Sequence, residues 1–133
     1  MTNVHHVAYA VKDIQSAARS FEALGYERES ALVNDDGRGV QIQFMKHPDG
    51  LRIELVSPAR EGSPVSQILE KEKGASTPYH ICYEVDDIDK ELAELKGNGF
   101  IQTKSKAPAP AIDGRNVAFA FSLGAGLIEL VER

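Results

Sequence analysis

The stretch that decides the fold is HVAYAVKDI, residues 6–14, because the chain returns to it as HICYEVDDI at residues 80–88. His, Tyr, Val, Asp and Ile coincide at His6/His80, Tyr9/Tyr83, Val11/Val85, Asp13/Asp87 and Ile14/Ile88. The same offset of 74 residues pairs Gly25 with Gly99 and Tyr26 with Phe100. Farther along, IELV at residues 53–56 recurs at residues 128–131, now at an offset of 75. Two copies of so long a repeat are too few for a solenoid. They read as one module present twice, the copies packing against each other.

Working outward, each copy has the layout βαβββ. Val4–Val11 and Tyr79–Val85 are runs rich in strand formers. Asp13 and Asp87 stand where helix N-caps belong, and the apolar residues behind them keep helical spacing. Gly25 and Gly99 are the expected helix stops. Three strands then follow in each copy, at Glu27–Val33, Val40–Lys46 and Arg52–Ser57, and at Ile101–Lys104, Arg115–Phe121 and Gly126–Glu132. Ser63 and Pro64 open a short connecting helix to about Lys73. Residues 35–39 and 107–114 read as mobile loops, the second rich in Pro and Ala and suited to a lid. The expectation is an α+β fold in one domain: module one over 4–58, a connection over 59–77, and module two over 78–133.

Size and composition agree. A chain of 133 residues has room for one domain or two small modules sharing a core. Its 42% hydrophobic and 26% charged residues are those of a globular protein. The net charge of −5 argues against general nucleic-acid binding. No apolar run approaches a membrane span, and no signal-peptide pattern precedes the first strand. The single Cys82 excludes an internal disulfide. These observations set the expectation of a cytoplasmic protein. Short apolar strands such as Val117–Phe121, with sheet edges to cover, predict a homodimer.

Strand alternation selects the chemistry. Val7, Tyr9 and Val11 share the helix side of the first strand, which leaves His6, Ala8 and Ala10 on the other side. In the second copy Ile81, Tyr83 and Val85 leave His80, Cys82 and Glu84 opposite. Ile53/Leu55 and Ile128/Leu130 face apolar surroundings, so Glu54 and Glu129 point the other way. A lone strand His is more often structural than a ligand, and a lone strand Glu is more often an ion-pair partner. Recurrence of both types at corresponding positions reverses that reading. His6, Glu54, His80 and Glu129 together predict one divalent metal site with two nitrogen and two oxygen donors. Such a set suits Ni²⁺, Co²⁺ or Mn²⁺, and Zn²⁺ accepts the same donors. His5 reads as structural on the helix side, His47 as solvated, and Cys82 as a small filler.

At these residues the chain resembles the vicinal oxygen chelate superfamily, over Val4 to Glu132. The resemblance implies paired βαβββ modules forming a cupped, barrel-like mixed sheet around a metal, with helices outside. SPVSQILEK from Ser63, YHICYEVDDI from Tyr79 and the ending GLIELVE are similar to the methylmalonyl-CoA epimerase branch. This similarity implies an isomerase or lyase moving a proton at the carbon α to a carbonyl or thioester, with Glu54 and Glu129 as base and acid. Its substrate would be an acyl-CoA. The alternative is a glyoxalase I-like lyase acting on the glutathione hemithioacetal of methylglyoxal. A non-catalytic binding module and a dioxygenase or thiol transferase are further alternatives.

Overall fold

The two aspartates matched by the repeat each follow a strand and open a helix. The computed structural model describes residues 3–133. In chain order the elements are β1 (Asn3–Ala10), α1 (Ile14–Ala23), β2 (Glu27–Arg28), β3 (Val33–Asp35), β4 (Val40–Lys46), β5 (Arg52–Pro58) and α2 (Ser66–Lys71). Then come β6 (Thr77–Val85), α3 (Ile88–Lys96), β7 (Ile101–Ala109), a 3₁₀ turn (Pro110–Ile112), β8 (Arg115–Ser122) and β9 (Gly126–Glu132). Asp13 is extended, and its carboxylate accepts from the Ser16 amide at 3.2 Å. Asp87 does the same for the Lys90 amide at 3.2 Å. Each cap thereby satisfies one of the amides that a helix start leaves open. α1 ends just before Gly25, whose φ of 98° carries no steric penalty for Gly, whereas α3 ends at Lys96 with Gly97 as its C-cap, two residues ahead of the expected stop at Gly99 (φ 87°).

The chain forms two compact units, Val7–Tyr79 and the residues up to His6 together with those from His80 onward. In the first unit the strands run β2-β4-β5-β1, with β3 also paired to β4. β1 is parallel to β5, Val7 opposite Ile53 and Ala8 opposite Glu54, while β4 and β5 are antiparallel. Val11, Ile14, Ala17, Ala18, Met45, Ile53 and Leu55 form the core beneath α1, and Val7, Tyr9 and Phe21 pack on it. The second unit runs β6-β9-β8-β7, with β6 parallel to β9. Its core is Val85, Ile88, Ala118, Ala120, Ile128 and Leu130, with Tyr83, Leu92 and Phe100 packed against it. Each fully buried side chain such as Leu55 or Leu130 contributes about 1.5–3 kcal/mol relative to exposure. Both units carry a mixed sheet with a helix on its apolar face, as the alternation predicts. The strand orders end at β2 and β7 without closing.

Three elements differ from the sequence expectation. The strand expected over Glu27–Val33 is broken into β2 and β3. Between them Ser30 turns its own polar atoms to β4: its Oγ accepts from the Phe44 amide at 3.1 Å, and its carbonyl accepts from the Gln43 side chain. These side-chain bonds replace ladder bonds and interrupt the strand. The expected lid, residues 107–114, is part strand, part 3₁₀ turn and ends in a turn at 113–114. β7 continues to Ala109, with Ala107 opposite Val117 and Pro108 opposite Asn116. It lies at the end of the strand order, where proline's missing amide is tolerated. α2 starts at Ser66, later than Ser63, and Ser63 Oγ meets Ser66 Oγ at 3.3 Å instead of capping the helix. The other expected loop is tied down by buried Asp35, which accepts from Arg38 Nη1 at 2.8 Å and from the Arg38 amide at 3.1 Å.

Candidate metal centre

The second unit delivers three of the four expected ligands to one place. His6 comes from the segment of β1 that belongs to it, His80 from β6 and Glu129 from β9. The parallel register sets Cys82 opposite Glu129, so His80, two residues earlier on β6, shares Glu129's face. His6 Nε2 lies 3.2 Å from Glu129 Oε1, and His80 Nε2 lies 3.3 Å from the same oxygen. The two imidazole rings stand edge to face, centroids 5.7 Å apart. All three residues are buried, His6 completely.

Such an arrangement is expensive without a cation. Burial pushes the Glu129 carboxyl up, but the imidazoles of His6 and His80 beside it outweigh that and hold it well below the usual carboxylate range. Glu129 is therefore ionised at neutral pH. Yet its Oε1 is buried and makes no hydrogen bond of normal geometry among the described residues. Donors about 2.0–2.2 Å from a shared ion, at ordinary coordination angles, lie roughly 3.0–3.5 Å apart. The observed separations of 3.2 and 3.3 Å have that spacing, so the residues fit a divalent metal.

The fourth expected ligand, Glu54, is in the first unit. It lies on β5, opposite Ala8 in parallel register and opposite Phe44 in antiparallel register, and it is buried. Ala8 and Ala10 are buried as well. Cys82 is a buried free thiol.

Four further residues make contacts that the sequence reading did not assign. His5 does not turn away from the centre: its Nδ1 is 2.8 Å from His6 Nδ1. No sequence signal points to this contact, because neighbours in a strand should face opposite sides. Phe119 sets its ring edge-on to His80, centroids 5.2 Å apart. It lies opposite Glu129 across the β8–β9 hairpin, so counting back from the turn would have found it. Glu84 accepts from Arg115 Nη2 at 2.6 Å and from Asn3 Nδ2 at 2.6 Å, which makes it a structural anchor. His47 is less solvated than expected, its ring packed edge-on against Tyr26 at 5.0 Å.

A duplicated βαβββ chain with His and Glu meeting on the inner strands defines a class, and comparison with known proteins supplies its name. The chain belongs to the Glyoxalase/Bleomycin resistance protein/Dioxygenase superfamily, whose pattern matches residues 5–119. Within that class its relatives are methylmalonyl-CoA epimerases. The ethylmalonyl-CoA/methylmalonyl-CoA epimerase of Cereibacter sphaeroides is 37% identical over 117 residues, covering 87% of this chain and 85% of that protein. The mitochondrial methylmalonyl-CoA epimerase of Homo sapiens is 31% identical over 129 residues, covering 96% of this chain and 72% of that protein. The crystal structure of methylmalonyl-CoA epimerase from Mycobacterium tuberculosis superposes with a TM-score of 0.84 at 25% identity, over 98% of this chain and 87% of that one.

Proposed function

We propose that this chain is a metal-dependent epimerase that moves the proton on the carbon α to an acyl-CoA thioester, with methylmalonyl-CoA as its substrate. The observation that carries the reading is the convergence of two buried imidazole nitrogens on one buried, ionised carboxylate oxygen. The relatives' activity supplies the substrate.

The full ligand set in this reading is His6, Glu54, His80 and Glu129. Register supports including Glu54. Its parallel partner Ala8 shares a face of β1 with His6, two residues away. Two neutral imidazoles and two carboxylates suit Co²⁺, Ni²⁺ or Mn²⁺, with Zn²⁺ as the fourth candidate. When bound, such an ion supplies a Lewis acid for the substrate's carbonyl oxygen.

The chain's own groups handle the proton. Glu54 and Glu129 are carboxylates from corresponding strands of the two copies, one suited to each face of the α-carbon. One removes the proton and the other returns one to the opposite face, which inverts the centre. Epimerisation needs both directions, so the two exchange roles as the substrate's configuration changes.

Beyond the site, residues 4–58 and 78–133 act in this reading as two copies of a module in one domain joined by 59–77. The protein works as a homodimer in the cytoplasm. Among the described residues no helix is long and apolar enough to cross a membrane. The deciding experiment is proton NMR in heavy water with a panel of acyl-CoA thioesters and the glutathione hemithioacetal. Deuterium should enter the α-position of methylmalonyl-CoA. Exchange of the hemithioacetal alone would overturn the proposal.

A further inference from the structure

We propose that His5 is a positioning residue for His6, holding that imidazole in the tautomer and orientation that present Nε2 to a metal; this rests on the metal reading above. The nitrogen of His6 that faces Glu129 is Nε2, at 3.2 Å. A neutral ligating imidazole carries its proton on the other nitrogen, and whatever accepts that proton fixes the ring. In this chain the group beside His6 Nδ1 is His5 Nδ1, at 2.8 Å.

Two ring nitrogens at that distance share one proton. With His6 Nδ1–H as the donor, His5 Nδ1 is the bare acceptor and His5 carries its own proton on Nε2. The rings meet edge to face, centroids 5.1 Å apart at 79°, so the bond constrains both position and tilt. Cys82 offers its sulfur within 4.8 Å of donor atoms of both histidines, but a thiol is a weak acceptor and the imidazole nitrogen is the stronger partner. The device is not part of the repeat, because Tyr79 occupies the matching place before His80 and has no ring nitrogen. The first ligand therefore has a dedicated neighbour that the duplication does not supply to the second.

Packing and positioning make opposite demands on a replacement. His5→Phe keeps the ring volume and removes the acceptor. His5→Asn gives up volume and keeps an acceptor near the place of Nδ1. His5→Leu is a second acceptor-free variant. Metal-free protein is titrated with Co²⁺ against a competing chelator and followed by visible absorption, with circular dichroism as the check on folding. Co²⁺ affinity should fall about 10–100-fold in the Phe and Leu variants, the usual effect of losing a ligand's hydrogen-bond partner. In His5→Asn it should stay near that of the parent. Equal affinity in all four proteins, or better binding by Phe than by Asn, overturns the proposal while leaving the metal centre intact. A parent chain that binds no Co²⁺ overturns both.

Discussion

Glu129 Oε1 has two imidazole nitrogens within 3.3 Å, so substitutions at this cluster separate binding from chemistry. His6→Ala and His80→Ala should each abolish stoichiometric metal while the fold survives, because neither ring belongs to the apolar cores beneath the helices. Metal analysis alongside circular dichroism checks this, and a loaded His80→Ala protein would refute the ligand set. Glu54→Gln and Glu129→Gln each keep an oxygen donor and lose a proton acceptor. Both should retain metal while α-proton exchange slows by about 10²–10⁴-fold, the usual worth of a positioned base. Full exchange in Glu54→Gln would reduce Glu54 to a ligand alone. At this scale the sequence was highly legible, because residue types recurring at a fixed offset need no knowledge of packing. His5 was not legible, since its contact with His6 departs from the alternation that made the rest readable.

At the level of elements, the break between β2 and β3 and the anchoring of β6 each make a testable claim. Gln43 is buried and its amide donates to the carbonyls of Ser30 and Phe44. Gln43→Met fills similar space without those bonds and should destabilise the chain by about 1–3 kcal/mol in urea unfolding, the cost of buried polar groups left unmatched. Glu84 joins β6 to Arg115 on β8, and that guanidinium, assisted by Asn3, holds its carboxyl below the ordinary range despite partial burial. A lowered folded-state pKa stabilises the fold above the unfolded value and stops doing so as pH falls through the folded one. Urea unfolding of Glu84→Gln should therefore show a deficit at pH 7 that is smaller at pH 3. A gap unchanged between the two pH values would count against the ion pair. The same elements show where sequence reading stops. Caps at Asp13 and Asp87 are local chemistry and were readable, whereas the extension of β7 through Pro108 depends on pairing with β8, which no local pattern announces.

For the whole molecule, binding linked to folding predicts that metal removal lowers the melting temperature. An ion at about 100 times its dissociation constant adds about 2.7 kcal/mol, or roughly 10 °C for a chain of this size. Calorimetry with and without chelator measures it, and no shift would show that the centre is not formed by the ion's ligands. A dimer is expected in sedimentation at micromolar concentration, since Ile101 is 70% exposed on β7 at the end of the strand order. Only monomer would contradict that. The division of β1 between His6 and Val7 has a consequence for biosynthesis. Val7–Tyr79 is continuous and can condense while the ribosome is still translating. His6, made early, must wait for His80 and then for Glu129 before its cluster exists. The cluster of His6, His80 and Glu129 is thus completed late in translation, after Val7–Tyr79 has been made, so a nascent chain does not present the three donors together.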